Sequence, residues 1–440
     1  MEWQRLLRCQ RLGKDHLEDS RFERTAFLKD YDRLVYSTPF RRLKDKTQVF
    51  PLAKKEDIRT RLIHSLEVSC VGRSLGRIVG SQIIQRHRLT DFEPADFGDI
   101  LSAACLAHDI GNPPYGHAGE DAIQTGFQNW YTGFTPREGE NYLDNAQKSD
   151  LDRFEGNAQG FRILTRLEIP HRRGGMQLTC PTLAAFTKYP REAFIPDAIL
   201  QGYDGHSTRK YGFFQAEKEL FAGVAEILGL IRRHPDASWW ARHPLAFLLE
   251  AADDICYSIV DLEDGFRMGY IPFAVARDLL NAIADVKAEE YPADEEETIK
   301  RLRAKAIDRL VREIATLFLD LEIEILSGTF DRELLASSVH ASVLREIERI
   351  SRTSIFLHPN VVRIKLAGYE VLGGLFTEFA NTIFYPSKKG QLMLYMLPPA
   401  YRPNPIEDTY DKLLKITDYL SGLTDFQATS LFQQLKGISL

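Results

Sequence analysis

The chain has 440 residues, 44% hydrophobic and 27% charged, with a formal net charge of −6. That composition is of a soluble globular protein, and the net charge excludes any bulk attraction to polyanions, so a phosphorylated substrate would have to be held by local cations. No apolar run reaches the ~18 residues of a membrane span, and the opening MEWQRLLRCQRLGKD lacks the apolar segment of a secretory signal.

In chain order, Thr47-Gln48-Val49-Phe50 is a short strand candidate, and Ile58 to about Gln85 reads as a proline-free helix with Val68, Val71, Leu75 and Ile78 at helical intervals. Asp96 to Ile110 is a second helix, with Gly111 as its left-handed stop. Pro113-Pro114 forbids direct continuation, and a new helix is expected near Ala118. Stretches 126–160 and 170–215, rich in Gly, Asn and Pro, read as loops. Pro244 suits the first turn of a helix reaching about Gly265 or Gly269. Residues 285–320 form a charged helical pattern broken at Pro292, with Asp294-Glu295-Glu296-Glu297 favouring a helix N-terminus. Leu392-Met393-Leu394-Tyr395-Met396 is the other strand candidate. The reading is all-α, with at most short peripheral strands. Cys9, Cys70, Cys105, Cys180 and Cys256 are odd in number and never spaced as CxxC. That speaks for a reducing compartment, and the expected location is the cytoplasm.

The chemistry concentrates around His108-Asp109, with His64 upstream and Asp253-Asp254 downstream. Two imidazoles and two carboxylates make a mixed site for a divalent metal such as Mn, Fe, Co, Ni or Mg. His117 and Glu120 follow at i, i+3, on one helical face. A carboxylate beside an imidazole raises its basicity and orients it for acid–base work. The bland alternatives are concrete. A histidine near a helix C-terminus often complements the macrodipole. On the helix from Pro244, Leu248, Ala252, Ile255, Ile259, Leu262 and Phe266 form an apolar stripe, opposite Glu250, Asp253, Tyr257, Asp261 and Asp264. Such an acidic face is ordinarily solvated. Local cations occur at Arg41-Arg42 with Lys44, at Arg59 and Arg61, at Arg162 and Arg166, at His171-Arg172-Arg173 and at Lys188.

Three runs carry a resemblance: Arg61-x-x-His64-Ser65-Leu66-Glu67-Val68, His108-Asp109-Ile110-Gly111-Asn112-Pro113-Pro114-Tyr115-Gly116-His117-Ala118-Gly119-Glu120, and Glu250-Ala251-Ala252-Asp253-Asp254-Ile255-Cys256-Tyr257. They resemble the HD superfamily and, more closely, the bacterial deoxyguanosinetriphosphate triphosphohydrolases and their dNTPase-like relatives. Matching runs at 40–51, 154–159 and 183–190 extend the resemblance over about residues 18 to 400. It implies one divalent metal, Mn2+ or Mg2+ first and Fe, Co or Ni as alternatives, held by His64, His108, Asp109 and Asp253. His117 with Glu120 would drive the attack, Arg61 and Lys188 would grip a triphosphate, and Gln48 would read the base edge. Tyr257 would pack against the sugar, Asp261 would hold the 3′-hydroxyl, and Asn157 would line the site. At Asn112 the vertebrate relative has a histidine, while Asn is usual in the bacterial branch.

The implied function is hydrolysis of dGTP or several dNTPs to deoxynucleoside and inorganic triphosphate. A deoxynucleoside 5′-monophosphatase and a non-catalytic nucleotide or nucleic-acid sensor are the rival classes. The resemblance also implies a homo-oligomer, a hexamer being one form, and a nucleotide or single-stranded DNA effector. Residues 1–440 are expected to form one helical unit, with the metal-bearing HD core at 40–275 and a helical extension at 276–440 packed on it.

Overall fold

The computed structural model describes residues 1–18, 24–48, 59–137, 140–404 and 406–438. Among them the chain is all-α, and β pairing is confined to isolated bridges such as Thr47 with Thr60. The helices used below are α1 (Arg61–His87), α2 (Pro94–Ala107), α3 (His117–Thr132), α4 (Asn145–Asp152) and α5 (Gly156–Arg162). They are followed by α6 (Cys180–Phe186), α7 (Pro244–Arg267), α8 (Glu295–Asp320) and α9 (Ala341–Ile350). The last are α10 (Pro359–Phe384), α11 (Lys388–Met396), α12 (Thr409–Gly422) and α13 (Asp425–Leu435). No helix among the described residues is long and apolar enough to cross a membrane.

The pairing of α1 with α2 sets the site. Helix α2 starts at Pro94, with a reciprocal Glu93–Asp96 capping box, and is apolar on nearly every side, so it is buried all round. Phe97, Ile100, Leu101 and Leu106 are fully enclosed, each contributing about 1.5–3 kcal/mol relative to exposure. Helix α1 meets it through Gly72, Gly76 and Gly80; a Cβ at Gly76 would lie 2.6 Å from the Phe97 carbonyl oxygen. Of the apolar positions expected along α1, Val68, Val71 and Leu75 are buried but Ile78 is 40% exposed. The buried row continues instead through Val79 and Ile83, where the glycine face turns inward.

Gly111 is not a left-handed stop, since its φ is not positive; the positive angles fall at Tyr115 (63°) and Gly116 (61°). What Gly111 provides is closeness: a Cβ there would sit 2.0 Å from the Gly156 carbonyl oxygen and 2.2 Å from the Gly160 nitrogen. The loop after α2 is thus clamped onto α5. Tyr115 tolerates its unusual backbone because Asp425 accepts its N–H at 3.1 Å and its hydroxyl meets Thr429 Oγ1 at 2.6 Å. Ile110 belongs to the largest apolar core, built on α1, α2, α7 and α8, whereas Tyr115 belongs to a second core built on α3, α10 and α12. The run from His108 to His117 therefore crosses between two cores, anchored at both ends.

Other expectations change. Stretches 126–160 and 170–215 are not simply loops: the first holds the end of α3 and then α4 and α5, the second α6. Short helices capped by Asp144 and Thr179 were hidden, the first by its polar composition and the second by a proline in its first turn. Leu392–Met396 is the end of α11, begun by a Ser387 cap, rather than a strand. The candidate strand at Thr47 lies partly outside the described residues. Within 285–320 only the part after Pro292 is continuous helix, started by an Asp294 cap. The acidic face of α7 is not solvated. Glu250 is enclosed with Arg242 at 2.7 Å and His206 at 3.2 Å, and Glu263 and Asp264 are covered by Arg59.

Candidate metal centre and nucleotide cleft

Three elements converge on one point. His64 stands on the first turn of α1, His108 and Asp109 follow the end of α2, and Asp253 lies mid-way along α7. Asp253 Oδ1 is 3.1 Å from His64 Nε2 and 3.5 Å from His108 Nε2. Asp109 Oδ1 is 3.6 Å from His108 Nε2. His64, His108 and Asp109 each offer a ligand atom within 4.8 Å of the others.

The outer contacts aim these atoms. His108 Nδ1 donates to the Cys105 carbonyl at 2.7 Å, which leaves Nε2 as the nitrogen facing the carboxylates. Each carboxylate turns Oδ1 toward the imidazoles and gives Oδ2 to a cation: Arg61 holds Asp109 at 2.8 Å and Lys188 holds Asp253 at 2.8 Å. Asn112 Nδ2 donates to Asp109 Oδ1. Burial pushes the His108 ring below its ordinary pKa, which favours the neutral form that ligates. Burial acts the same way on His64, but the hydrogen bond and charge of Asp253 together with the charges of Asp109 and Asp261 outweigh it and raise the pKa. Two imidazole nitrogens and two carboxylate oxygens so arranged fit a divalent cation of intermediate hardness.

These groups floor a cleft of about 650 Å³. Gln48, Asn157, Lys188 and Tyr257 line it with the metal-site residues and His117. His117 begins α3 with its side chain 77% exposed; its Nδ1 meets Glu120 Oε2 at 2.6 Å, leaving Nε2 unclaimed. Glu120 is buried and its other oxygen accepts the Gly156 N–H at 2.7 Å, so the carboxylate is fixed from both sides. The Glu120 hydrogen bond and charge raise the His117 pKa against the opposing effect of burial. Asn157 Nδ2 donates to Glu155 at 2.7 Å. Tyr257 stacks on Phe356 with ring centres 5.6 Å apart.

Two expected residues are set back from the cleft surface. Glu120 touches it only through His117. Asp261 lies one helical turn beyond Tyr257, 3% exposed, and burial pushes its carboxyl up to about 8. Among the described residues no partner satisfies Asp261 Oδ2 or Gln48 Oε1.

Of the cations noted along the sequence, Arg61 and Lys188 line the cleft. Arg59 is committed to Glu67, Glu263 and Asp264, and Arg162 to Asp418 and Glu217. The cleft also takes Lys210 and, from the C-terminal third, Arg352, Phe356, Lys365 and Tyr369. The pairs Arg352–Phe356 and Lys365–Tyr369 each place a cation and an aromatic ring at i, i+4, a spacing that could have pointed to them.

Residues 61–152 match the model of the HD domain. The whole chain is similar to a deoxyguanosinetriphosphate triphosphohydrolase-like protein of Synechocystis sp., 64% identical over 442 residues and covering all of both chains. It is 39% identical over 455 residues to a protein of the same description from Pseudomonas aeruginosa, covering 100% of this chain and 99% of that one. A deoxyguanosinetriphosphate triphosphohydrolase of Salmonella paratyphi A is 28% identical, with 94% of each chain covered.

Proposed function

The chain belongs to the deoxyguanosinetriphosphate triphosphohydrolase-like family of HD-domain hydrolases, and from that premise we propose that it hydrolyses dGTP, or several dNTPs, to deoxynucleoside and inorganic triphosphate. The observation that carries the reading is the cleft floor, where both carboxylates present Oδ1 to two imidazoles while Arg61 and Lys188 hold the outer oxygens. His64, His108, Asp109 and Asp253 would hold one divalent ion, manganese or magnesium, in a cytoplasmic enzyme. When bound, that ion supplies Lewis acidity to a phosphoryl oxygen.

The chain's own residues do the rest. A water attacks the α-phosphorus and His117 Nε2 takes its proton, with Glu120 holding the ring and stabilising its charged form. Arg61 and Lys188 offset charge on the phosphoryl oxygens. The bond to the nucleoside 5′-oxygen breaks, that oxygen gains a proton, and the triphosphate departs. Gln48 is assigned to the base edge, and Asn157 lines the site. Tyr257, braced by Phe356, forms a rigid wall against C2′, needed because a merely apolar pocket rejects an added hydroxyl by only about 10²-fold. Asp261, beneath it, is assigned to the 3′-hydroxyl. Self-association and a nucleotide or single-stranded DNA effector complete the proposal.

The test is incubation of the metal-loaded protein with each dNTP and each deoxynucleoside monophosphate, resolving triphosphate, pyrophosphate and phosphate. Triphosphate released from dGTP supports the reading. Phosphate released from monophosphates alone points to a nucleotidase, and no turnover of any substrate to a sensor.

A further inference from the structure

Behind His117 lies a second cavity of about 430 Å³. It shares His117, Asp121 and Lys210 with the main cleft, but none of the metal-site residues lines it. Three arginines, Arg153, Arg191 and Arg209, line it. Arg191 is 4% exposed, and its guanidinium donates only to backbone carbonyls: Glu192 at 3.1 Å, Thr208 at 2.8 Å and Ala193 at 3.2 Å. Those bonds use three of the five N–H groups and bring no carboxylate to the charge. Arg153, just past α4, lines the same cavity and has no side-chain partner among the described residues. Burial and the neighbouring Arg153 lower Arg191 to about 10, as expected of adjacent guanidinium groups with little counter-charge. Arg209 adds a third cation, paired with Glu333 at 3.2 Å.

The acidic groups that line this cavity are each engaged. Glu120 holds His117 and the Gly156 N–H, Glu155 accepts from Asn157 and Lys210, and Asp121 accepts the Tyr369 hydroxyl. Among the described residues, the only ring in the lining apart from His117 is Tyr211, which is buried with its hydroxyl donated to the Asp150 carbonyl. A nucleobase would find no open aromatic face there.

We propose that this side cavity is a separate phosphoanion site, in which Arg153 and Arg191 bind inorganic triphosphate next to the cleft that releases it. The choice of triphosphate rests on the hydrolase reading, whereas the existence of an anion site does not. A planar guanidinium fork matches phosphate oxygens, and two forks side by side suit a chain of them. The cavity's continuity with the cleft through His117 and Lys210 gives the product a holding place off the metal centre.

The experiment is calorimetric titration of the full-length, metal-loaded protein with inorganic triphosphate, repeated with a chelator present. The proposal expects two classes of site, one abolished by the chelator and one that survives. Arg153→Glu, at an exposed position, should weaken the surviving class by about tenfold or more, the loss of one charge-assisted contact. Lys188→Ala should affect only the chelator-sensitive class. A single class, or a surviving class indifferent to Arg153→Glu, overturns the proposal. So does a surviving class that takes dGTP as tightly as triphosphate, which would make it a nucleotide site. Failure to turn over dNTPs while the surviving class persists defeats the hydrolase reading and leaves the anion site standing.

Discussion

Two of the regions in which this protein buries charge do so to different ends. Around Arg162 the charges are matched within the protein: Asp418 accepts from the guanidinium at 2.8, 3.1 and 2.9 Å, Glu217 at 2.7 Å, and Gln159 donates to Asp418, although Gln159 Oε1 and Glu217 Oε2 have no partner among the described residues. This cluster joins α5 to α12, with the charge of Arg162 spent on Asp418 and Glu217. On the cleft floor the carboxylates are matched across several elements and converge: Arg61 and Lys188 take one oxygen each, while Asp109 Oδ1 accepts from Asn112 beside His108 and Asp253 Oδ1 lies between the two imidazole nitrogens. Buried ions that complete one another hold the fold, and buried ions that converge on a shared point hold a ligand.

That contrast can be broken from either side. The largest effect is expected at the floor: His108→Ala or Asp253→Ala should lose bound metal and turnover together, read by elemental analysis and dNTP hydrolysis. Full metal occupancy in the Asp253 variant would remove it from the ligand set and bring Asp254 forward. Next, His117→Ala should keep its metal and lose about 10²–10⁴ in kcat, the usual weight of a positioned general base. An unchanged kcat would contradict its role. Asp418→Ala should act in the opposite sense, costing about 3–5 kcal/mol of stability by stranding a buried arginine, with metal content per folded molecule unaltered.

The smallest effect is a shift in pH dependence. Glu120 raises the His117 pKa, so the stability this pair contributes is present below the ordinary histidine pKa and fades as pH rises through the raised one. Activity that needs neutral His117 should rise over that same upper interval. Glu120→Gln should therefore move the rising limb of kcat/KM to lower pH. A limb that stays in place would detach it from His117.

Much of this was legible in the sequence because the informative residues sit in short runs with fixed geometry. His108-Asp109 at a helix end, the rigid Pro113-Pro114 turn and His117 at a helix start are local facts, and the structure brings them into one cleft with His64 and Asp253. The helix started at Pro244 was equally local. Long-range information was not. The buried state of Glu250 and Asp264 depends on Arg242 and Arg59, which arrive from elsewhere in the chain, so an acidic stripe that looked solvated is enclosed. The same holds for Arg352, Phe356, Lys365 and Tyr369, which reach the cleft only because the C-terminal helices fold back over α3 and α7. Gly111 illustrates the limit well: its need was visible, but the reason is contact with Gly156 and Gly160 rather than backbone conformation.

The central claim is that water attacks the α-phosphorus under His117 and that the nucleoside 5′-oxygen leaves. Hydrolysis of dGTP in 18O-labelled water, with mass analysis of both products, tests it most directly. The account predicts one labelled oxygen in the inorganic triphosphate and none in the deoxyguanosine. Label in the deoxyguanosine, or release of labelled orthophosphate in place of triphosphate, would contradict it.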